Sequence, residues 1–333
     1  MGAHHVQRNG QVTHRHDGDE EFGHVGDAAH AAEQGVKDIS PGRLDLGVGE
    51  LAVGVSQTSP HIQRVLIILH GRLRNAETYR QSAEKAAREA GQSATTLVIA
   101  PQFLNEADIA RHDLPDKVLR WRGNEWMAGD LSTGPEALSS YAVLDRLLTR
   151  LSNRLEYPTL KEVVIAGHSG GAQVVQRFAM MGEDQPALRQ AGVKVRYVIA
   201  NPSSYAYFDK QRAVAVDPAK CPTFNDWKYG LNHLPSYAKG QTAKTLEQRY
   251  IERDITYLLG ELDTNAAQPA LDKTCAALAQ GPSRQERGLN YFKYLTQRHP
   301  HDLNQHLVEV PGVGHNGDKM FTSPEGLDAL FRW

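Results

Sequence analysis

The sequence predicts an α/β fold, a mostly parallel central sheet with helices on both faces and a cap-like insertion. Three observations predict it. From His61 onward, short apolar runs of strand length alternate with amphipathic stretches of helical period, the pattern of parallel strands joined by crossover helices. Gly167-His168-Ser169-Gly170-Gly171 places a glycine-flanked serine directly between one such strand and the helix after it. Two segments, 103–134 and 201 to about 253, are rich in Trp, Tyr, Asn, Asp, Pro and Gly and interrupt the repeat where such folds carry insertions.

The elements follow in chain order. Residues 65–69 read as a buried strand, and 76–90 as a helix with Tyr79, Ala83, Ala86, Ala87 and Ala90 on one face and Gly91 as C-cap. Residues 96–100 are the next strand, stopped by Pro101. Pro135 suits a helix start, with Leu138, Leu144, Leu147, Leu148 and Leu151 following at helical spacing until Tyr157 and Pro158 break it. A strand at 163–166, a helix at 170–181, strands at 195–200, 255–259 and 307–310, and a closing helix at 324–331 complete the series. There is no internal repeat and no heptad run, so solenoid and coiled-coil readings fail.

Residues 1 to about 60 have a different texture. They are rich in Gly, His, Asp and Gln, hold His4, His5, His14, His16, His24 and His30, and sustain neither a period of 2 nor one of 3.6. This stretch is expected to be a disordered arm outside a catalytic domain at 61–333, with the cap-like insertion at about 201–253. Its irregular histidine spacing favours solvated loop histidines over a metal site.

Composition narrows the function. The chain has 333 residues, 40% of them apolar and 23% charged, enough to bury a sizeable core. With 37 basic and 39 acidic residues, the net charge of -2 gives no overall field for nucleic acid or an anionic membrane. No run approaches the ~20 apolar residues of a membrane span. Cys221 and Cys275 exclude a four-thiolate zinc site and leave either one disulfide or two inert thiols. A disulfide suits an oxidising compartment, whereas the lack of a secretory signal points the other way, so localisation stays open with a lean to extracytoplasmic.

The chemistry centres on Ser169. A sharp turn between strand and helix exposes the serine hydroxyl at the carboxyl edge of a sheet, and the flanking glycines avoid collision with neighbouring backbone. The bland alternative is a glycine-rich turn that merely caps a helix. A serine nucleophile needs a base and a carboxylate to orient it, in the order Ser, acid, His. Asp263 follows a strand and supplies the acid, with Glu261 as its rival and helix capping as its structural alternative. His315, in a glycine-rich loop after the last strand, supplies the base better than His299, His301 or His306, which precede or begin that strand. His168 is expected to shape the turn. His70-Gly71-Arg72 ends an early strand, so the amides of Arg72 and Gly170 are the expected oxyanion donors, with Leu73 the alternative to Arg72.

From about residue 62 to the end, the chain resembles the α/β-hydrolase superfamily, close to its esterase, lipase and polyester-depolymerase branch. The resemblance rests on the 167–171 turn, His70-Gly71, the 260–263 segment and Gly314-His315. Leu73-Arg74-Asn75-Ala76, the 200–205 and 225–230 segments, and Gln280-Gly281-Pro282 further resemble a little-described group of microbial α/β-hydrolases. The resemblance implies a serine hydrolase acting on small-molecule or polymeric esters.

That chemistry requires no cofactor and no metal. An amidase or peptidase with the same three residues is the near alternative, and a non-catalytic binding protein on this fold the distant one. Trp121, Trp126, Tyr205, Tyr207, Trp227 and Tyr229 are candidates to line a substrate pocket, against the plainer role of pinning their loops to the core. Cys221 and Cys275 are the disulfide candidate, tying insertion to core. Oligomeric state is not legible.

Overall fold

A computed structural model describes residues 34–183 and 185–332. Among the described residues eight strands build one sheet: β1 (Gly42–Asp45), β2 (Glu50–Val55), β3 (Arg64–Leu69), β4 (Thr96–Gln102), β5 (Glu162–His168), β6 (Lys194–Ala200), β7 (Ile255–Gly260) and β8 (Gln305–Val310). Their spatial order is β1-β2-β4-β3-β5-β6-β7-β8. β2 pairs antiparallel with both β1 and β4, and every other pairing is parallel.

The central strands are apolar on both faces because both are covered. In β3, Val65, Ile67 and Leu69 enter one core while Leu66 and Ile68 enter the other. One face is covered by α1 (Ala76–Glu89), whose Tyr79, Ala83, Ala86 and Ala87 form the buried stripe read from the sequence. After α2 (Glu106–His112), the helices α3 (Ser140–Leu151) and α4 (Gly170–Met181) cover the opposite face. They are followed by α5 (Pro186–Gln190), α6 (Ala243–Glu252), α7 (Cys275–Leu278) and α8 (Arg284–Arg298), and α6 and α8 also pack on that second face. α9 (Gly317–Thr322) and α10 (Pro324–Phe331) close the chain against α1.

Two boundaries differ from the sequence reading. The expected loose arm does not extend to residue 60: β1 and β2 are strands of the sheet, and Leu51, Ala52 and Val53 are buried in it. The preceding segment is also tied down, the Val36 amide donating to Asp108 Oδ1 at 2.7 Å and the Ser40 amide to Gln102 Oε1 at 2.8 Å. The six N-terminal histidines lie outside the described residues. Pro135 does not open α3, because Ser132 and Leu138 close the intervening turn through hydrogen bonds of 2.8 and 2.9 Å, and the Ser139 hydroxyl caps the helix instead.

Cys221 and Cys275 are joined in a disulfide across 54 residues, linking the 201–253 segment to α7. Closing a loop of that length restricts the unfolded chain by about 4 kcal/mol on the chain-entropy model. Among the described residues no helix is long and apolar enough to cross a membrane.

Candidate active site

The site forms where β5 ends. Ser169 follows the last residue of β5 and adopts φ 56° and ψ −114°, a conformation rarely held by a residue with a side chain. Its amide donates to the Ala200 carbonyl at 2.9 Å, and its carbonyl accepts from the Gln173 amide at 3.1 Å. The turn is so tight that a Cβ on Gly167 would meet the Gly171 backbone at 2.4 Å, and one on Gly171 would meet the Leu69 carbonyl at 2.3 Å. Only glycine fits at either position. The strain at Ser169 is thus imposed by sheet, turn and helix together, and it projects the hydroxyl from the carboxyl edge of the sheet at the N-terminus of α4.

Two loops at the same edge bring the other side chains. His315 lies in the loop after β8, with Nε2 2.9 Å from Ser169 Oγ and Nδ1 2.8 Å from Asp263 Oδ2, and Asp263 lies in the loop after β7. The structure therefore brings Ser169, His315 and Asp263 into one hydrogen-bonded chain. Glu261, the rival acid, is exposed. His299 pairs with Glu247 at 2.6 Å, while His301 and His306 are exposed. His168 sits beneath the site, its ring 4.6 Å from that of His315 and its Nδ1 3.0 Å from the Tyr79 hydroxyl.

Burial governs the protonation of this group. It holds His315 well below the ordinary histidine range, with the Arg284 guanidinium adding to the effect. Burial also raises Asp263, opposed chiefly by the Arg284 guanidinium. Arg284 Nη1 stands 3.8 Å from Asp263 Oδ1, and Nε donates to Ser203 Oγ at 2.9 Å. It is buried, lies behind the acid, and was not singled out from the sequence.

The β3 exit forms the opposite wall. His70 is fully buried and has one workable tautomer: Nδ1–H donates to the Gly71 carbonyl at 2.8 Å, and bare Nε2 accepts the Phe103 amide at 2.9 Å. Burial pushes its pKa down to about 4. Two residues on, the Arg72 amide nitrogen lies 3.3 Å from where a Cβ on Gly170 would stand. The two expected donor amides are thus adjacent. Arg72 lines the cavity at Ser169, whereas Leu73 lines a separate one.

This loop is anchored by a pair that sequence reading missed. Buried Arg74, at φ 56°, grips buried Asp108 through Nε at 2.8 Å and Nη2 at 3.0 Å. Asp108 also accepts the Asn105 amide at 2.8 Å, completing a capping box at the start of α2. The Arg74 carbonyl accepts from Gln102 Nε2 at 2.8 Å.

The cavity at Ser169 measures about 210 Å³ and is walled by Arg72, Met127, Gln173, Ser203, Lys228 and Leu271, among others. None of the six aromatic candidates, Trp121, Trp126, Tyr205, Tyr207, Trp227 and Tyr229, lines it. They hold the loops to the core instead. Trp126 stacks on Phe103 at 5.3 Å and meets His70 edge-on at 4.8 Å, while Trp121 packs edge-on against Phe103 at 5.2 Å. Tyr205 stacks on Tyr291 of α8 at 4.6 Å, and Trp227 Nε1 donates to the Ala128 carbonyl at 2.7 Å. Among the described residues no group of three or more His, Cys, Asp or Glu is placed to hold a metal ion.

An eight-stranded sheet with an antiparallel edge, a strained serine between strand and helix, and a histidine beyond the last strand define the α/β-hydrolase fold. Solved structures agree. The chain is similar to LpqC, poly(3-hydroxybutyrate) depolymerase from Bordetella parapertussis, at 24% identity over 88% of this chain and 90% of that one, with a TM-score of 0.59. It is also similar to poly(aspartic acid) hydrolase-1 from Sphingomonas sp. KT-1, at 20% identity over 85% and 96% of the two chains, with a TM-score of 0.59. At these identities the likeness is one of fold. No family model and no curated protein matches the chain.

Proposed function

We propose that this chain is a serine hydrolase that cleaves carboxylic esters through Ser169, His315 and Asp263. The observation that carries the reading is His315, whose two ring nitrogens lie 2.9 Å from the Ser169 hydroxyl and 2.8 Å from the Asp263 carboxylate. The carboxylate fixes the tautomer, because Nδ1–H must donate to it, and Nε2 is left bare to accept the serine proton. The depressed pKa of His315 keeps the imidazole neutral at pH 7, as a general base requires.

In this reading Ser169 Oγ attacks the ester carbonyl as its proton passes to His315 Nε2. The imidazolium is stabilised by Asp263, and the Arg72 and Gly170 amides hold the oxyanion, each such donor supplying about 3 kcal/mol in the transition state. His315 then protonates the departing alkoxide; water attacks the acyl-enzyme as His315 takes its proton, and the acyl–Oγ bond breaks as His315 returns that proton to Ser169, releasing the acid. An ester suits the site because its leaving group needs less protonation than an amine. The test is steady-state hydrolysis of matched p-nitrophenyl esters and anilides. Esterase activity abolished by Ser169→Ala supports the reading, and an equally fast anilide reaction shifts it to an amidase.

A further inference from the structure

Lys228 gives the cavity at Ser169 a charge that the hydrolytic steps do not use. Its ammonium donates to Gln173 Oε1 at 2.7 Å, and Lys228, Gln173 and Ser169 all line the same cavity. That cavity is only about 210 Å³, which sets the ammonium within the span of a short acyl chain from the nucleophile.

The lysine is built in. Its carbonyl accepts from Arg177 Nε at 3.1 Å and Nη2 at 2.7 Å, and Arg177 is fully buried. Its neighbour Trp227 is tied to Ala128.

No carboxylate among the described residues lies within ion-pairing distance, 4 Å, of this ammonium. Asp272 also lines the cavity, but its oxygens accept the Tyr229 hydroxyl at 2.6 Å and the Thr274 amide at 3.0 Å. Arg72 lines the same cavity and adds a second positive charge. Burial, then the Arg177 guanidinium, and further off Arg72, disfavour the ammonium against the pull of Asp272 and Asp130, bringing its pKa down to about 8. A partly buried cation held by a neutral amide is stabilised strongly when an anion reaches it.

We propose that the site selects esters whose acyl chain ends in a carboxylate, the anion pairing with Lys228 while the ester carbonyl sits at Ser169. The apolar walls of Met127 and Leu271 suit the methylenes between them. This specificity rests on the hydrolase reading above, but the anion site is testable apart from it.

Two measurements separate the claims. The first compares kcat/KM for p-nitrophenyl hydrogen adipate with that for its methyl ester, which has the same chain without the charge. The anionic ester is expected to be preferred at least tenfold, the preference to shrink with added salt, and to vanish in Lys228→Met and Lys228→Gln but persist in part in Lys228→Arg. The second titrates monomethyl adipate into Ser169→Ala protein by calorimetry, with Ser169→Ala/Lys228→Gln as the comparison. Binding that depends on Lys228, without any ester turnover in the unsubstituted protein, keeps the anion site and removes the hydrolase reading. Turnover of the neutral ester with no anionic preference and no binding overturns the anion site alone. A preference that survives both Lys228→Met and Lys228→Gln overturns it too.

Discussion

Acidification should loosen the β3 exit at one identifiable residue, His70. Its bare Nε2 accepts the Phe103 amide and its Nδ1–H serves the Gly71 carbonyl, so a second proton on the ring destroys the first bond and places a charge in the core. The pKa falls from 6.5 when unfolded to about 4 in the fold, because of burial. Between these values the unfolded chain binds the extra proton, so the contribution is complete above pH 6.5 and lost as pH falls toward about 4. At ~1.4 kcal/mol per unit, the full loss is roughly 3 kcal/mol. Buried His168 and His315 are shifted in the same direction and steepen the decline. A His70→Leu variant isolates the share of one ring. At pH 7.5 it should be less stable by about 2–5 kcal/mol, since the Phe103 amide and Gly71 carbonyl lose their partners. From pH 6.5 to 4.5 its stability should fall less steeply than that of the unsubstituted protein by ~1.4 kcal/mol per unit. Urea unfolding at half-unit intervals reads both quantities. Parallel pH dependences would refute the argument, because they would mean that His70 takes up no proton on unfolding.

Three further outcomes are expected. Asp263→Asn should lower kcat by about 10⁴-fold with little change in KM, measured on a p-nitrophenyl ester, because the amide no longer fixes the His315 tautomer. Arg74→Ala should lower unfolding stability by about 3–5 kcal/mol in urea, since Asp108 is left buried and charged without the guanidinium that now grips both its oxygens. The acid limb of kcat/KM should lie well below pH 6.5, because burial and Arg284 resist protonation of His315; a limb at or above that value would contradict the electrostatics of the site.

The legible parts of this protein are those with a local signature. Strands apolar on both faces, the alanine stripe of α1 and the glycines around Ser169 all leave a pattern within a few residues. The loop positions of Asp263 and His315 follow from the strands before them. Asp263 is preferred to Glu261 from sequence alone, and the fold sharpens that choice: Asp263 is buried and 2.8 Å from His315 Nδ1, whereas Glu261 is exposed. β1 and β2 were missed because four and six residues in a glycine-rich stretch show little periodicity; they become strands by adding to an existing edge. α8 went unremarked for a related reason, since buried Arg284 and Arg287 place charge on its inner face and blur the apolar stripe. The aromatic candidates misled in the opposite direction. Trp and Tyr in long loops resemble a pocket lining, yet here they are the mortar between loop and sheet. The cavity wall is drawn instead from Arg72, Gln173, Ser203 and Lys228, which share no sequence pattern and meet only through topology. The Arg74–Asp108 pair is likewise invisible before folding, joining charges 34 residues apart.

The reactivity of the Ser169 hydroxyl is central, and intact-mass analysis after exposure to a fluorophosphonate tests it directly. One adduct per chain, mapped by peptide sequencing to Ser169, and absent from Ser169→Ala and strongly slowed in His315→Ala, is the predicted result. A folded protein that takes up no adduct, or one that is labelled equally after Ser169→Ala, would contradict it.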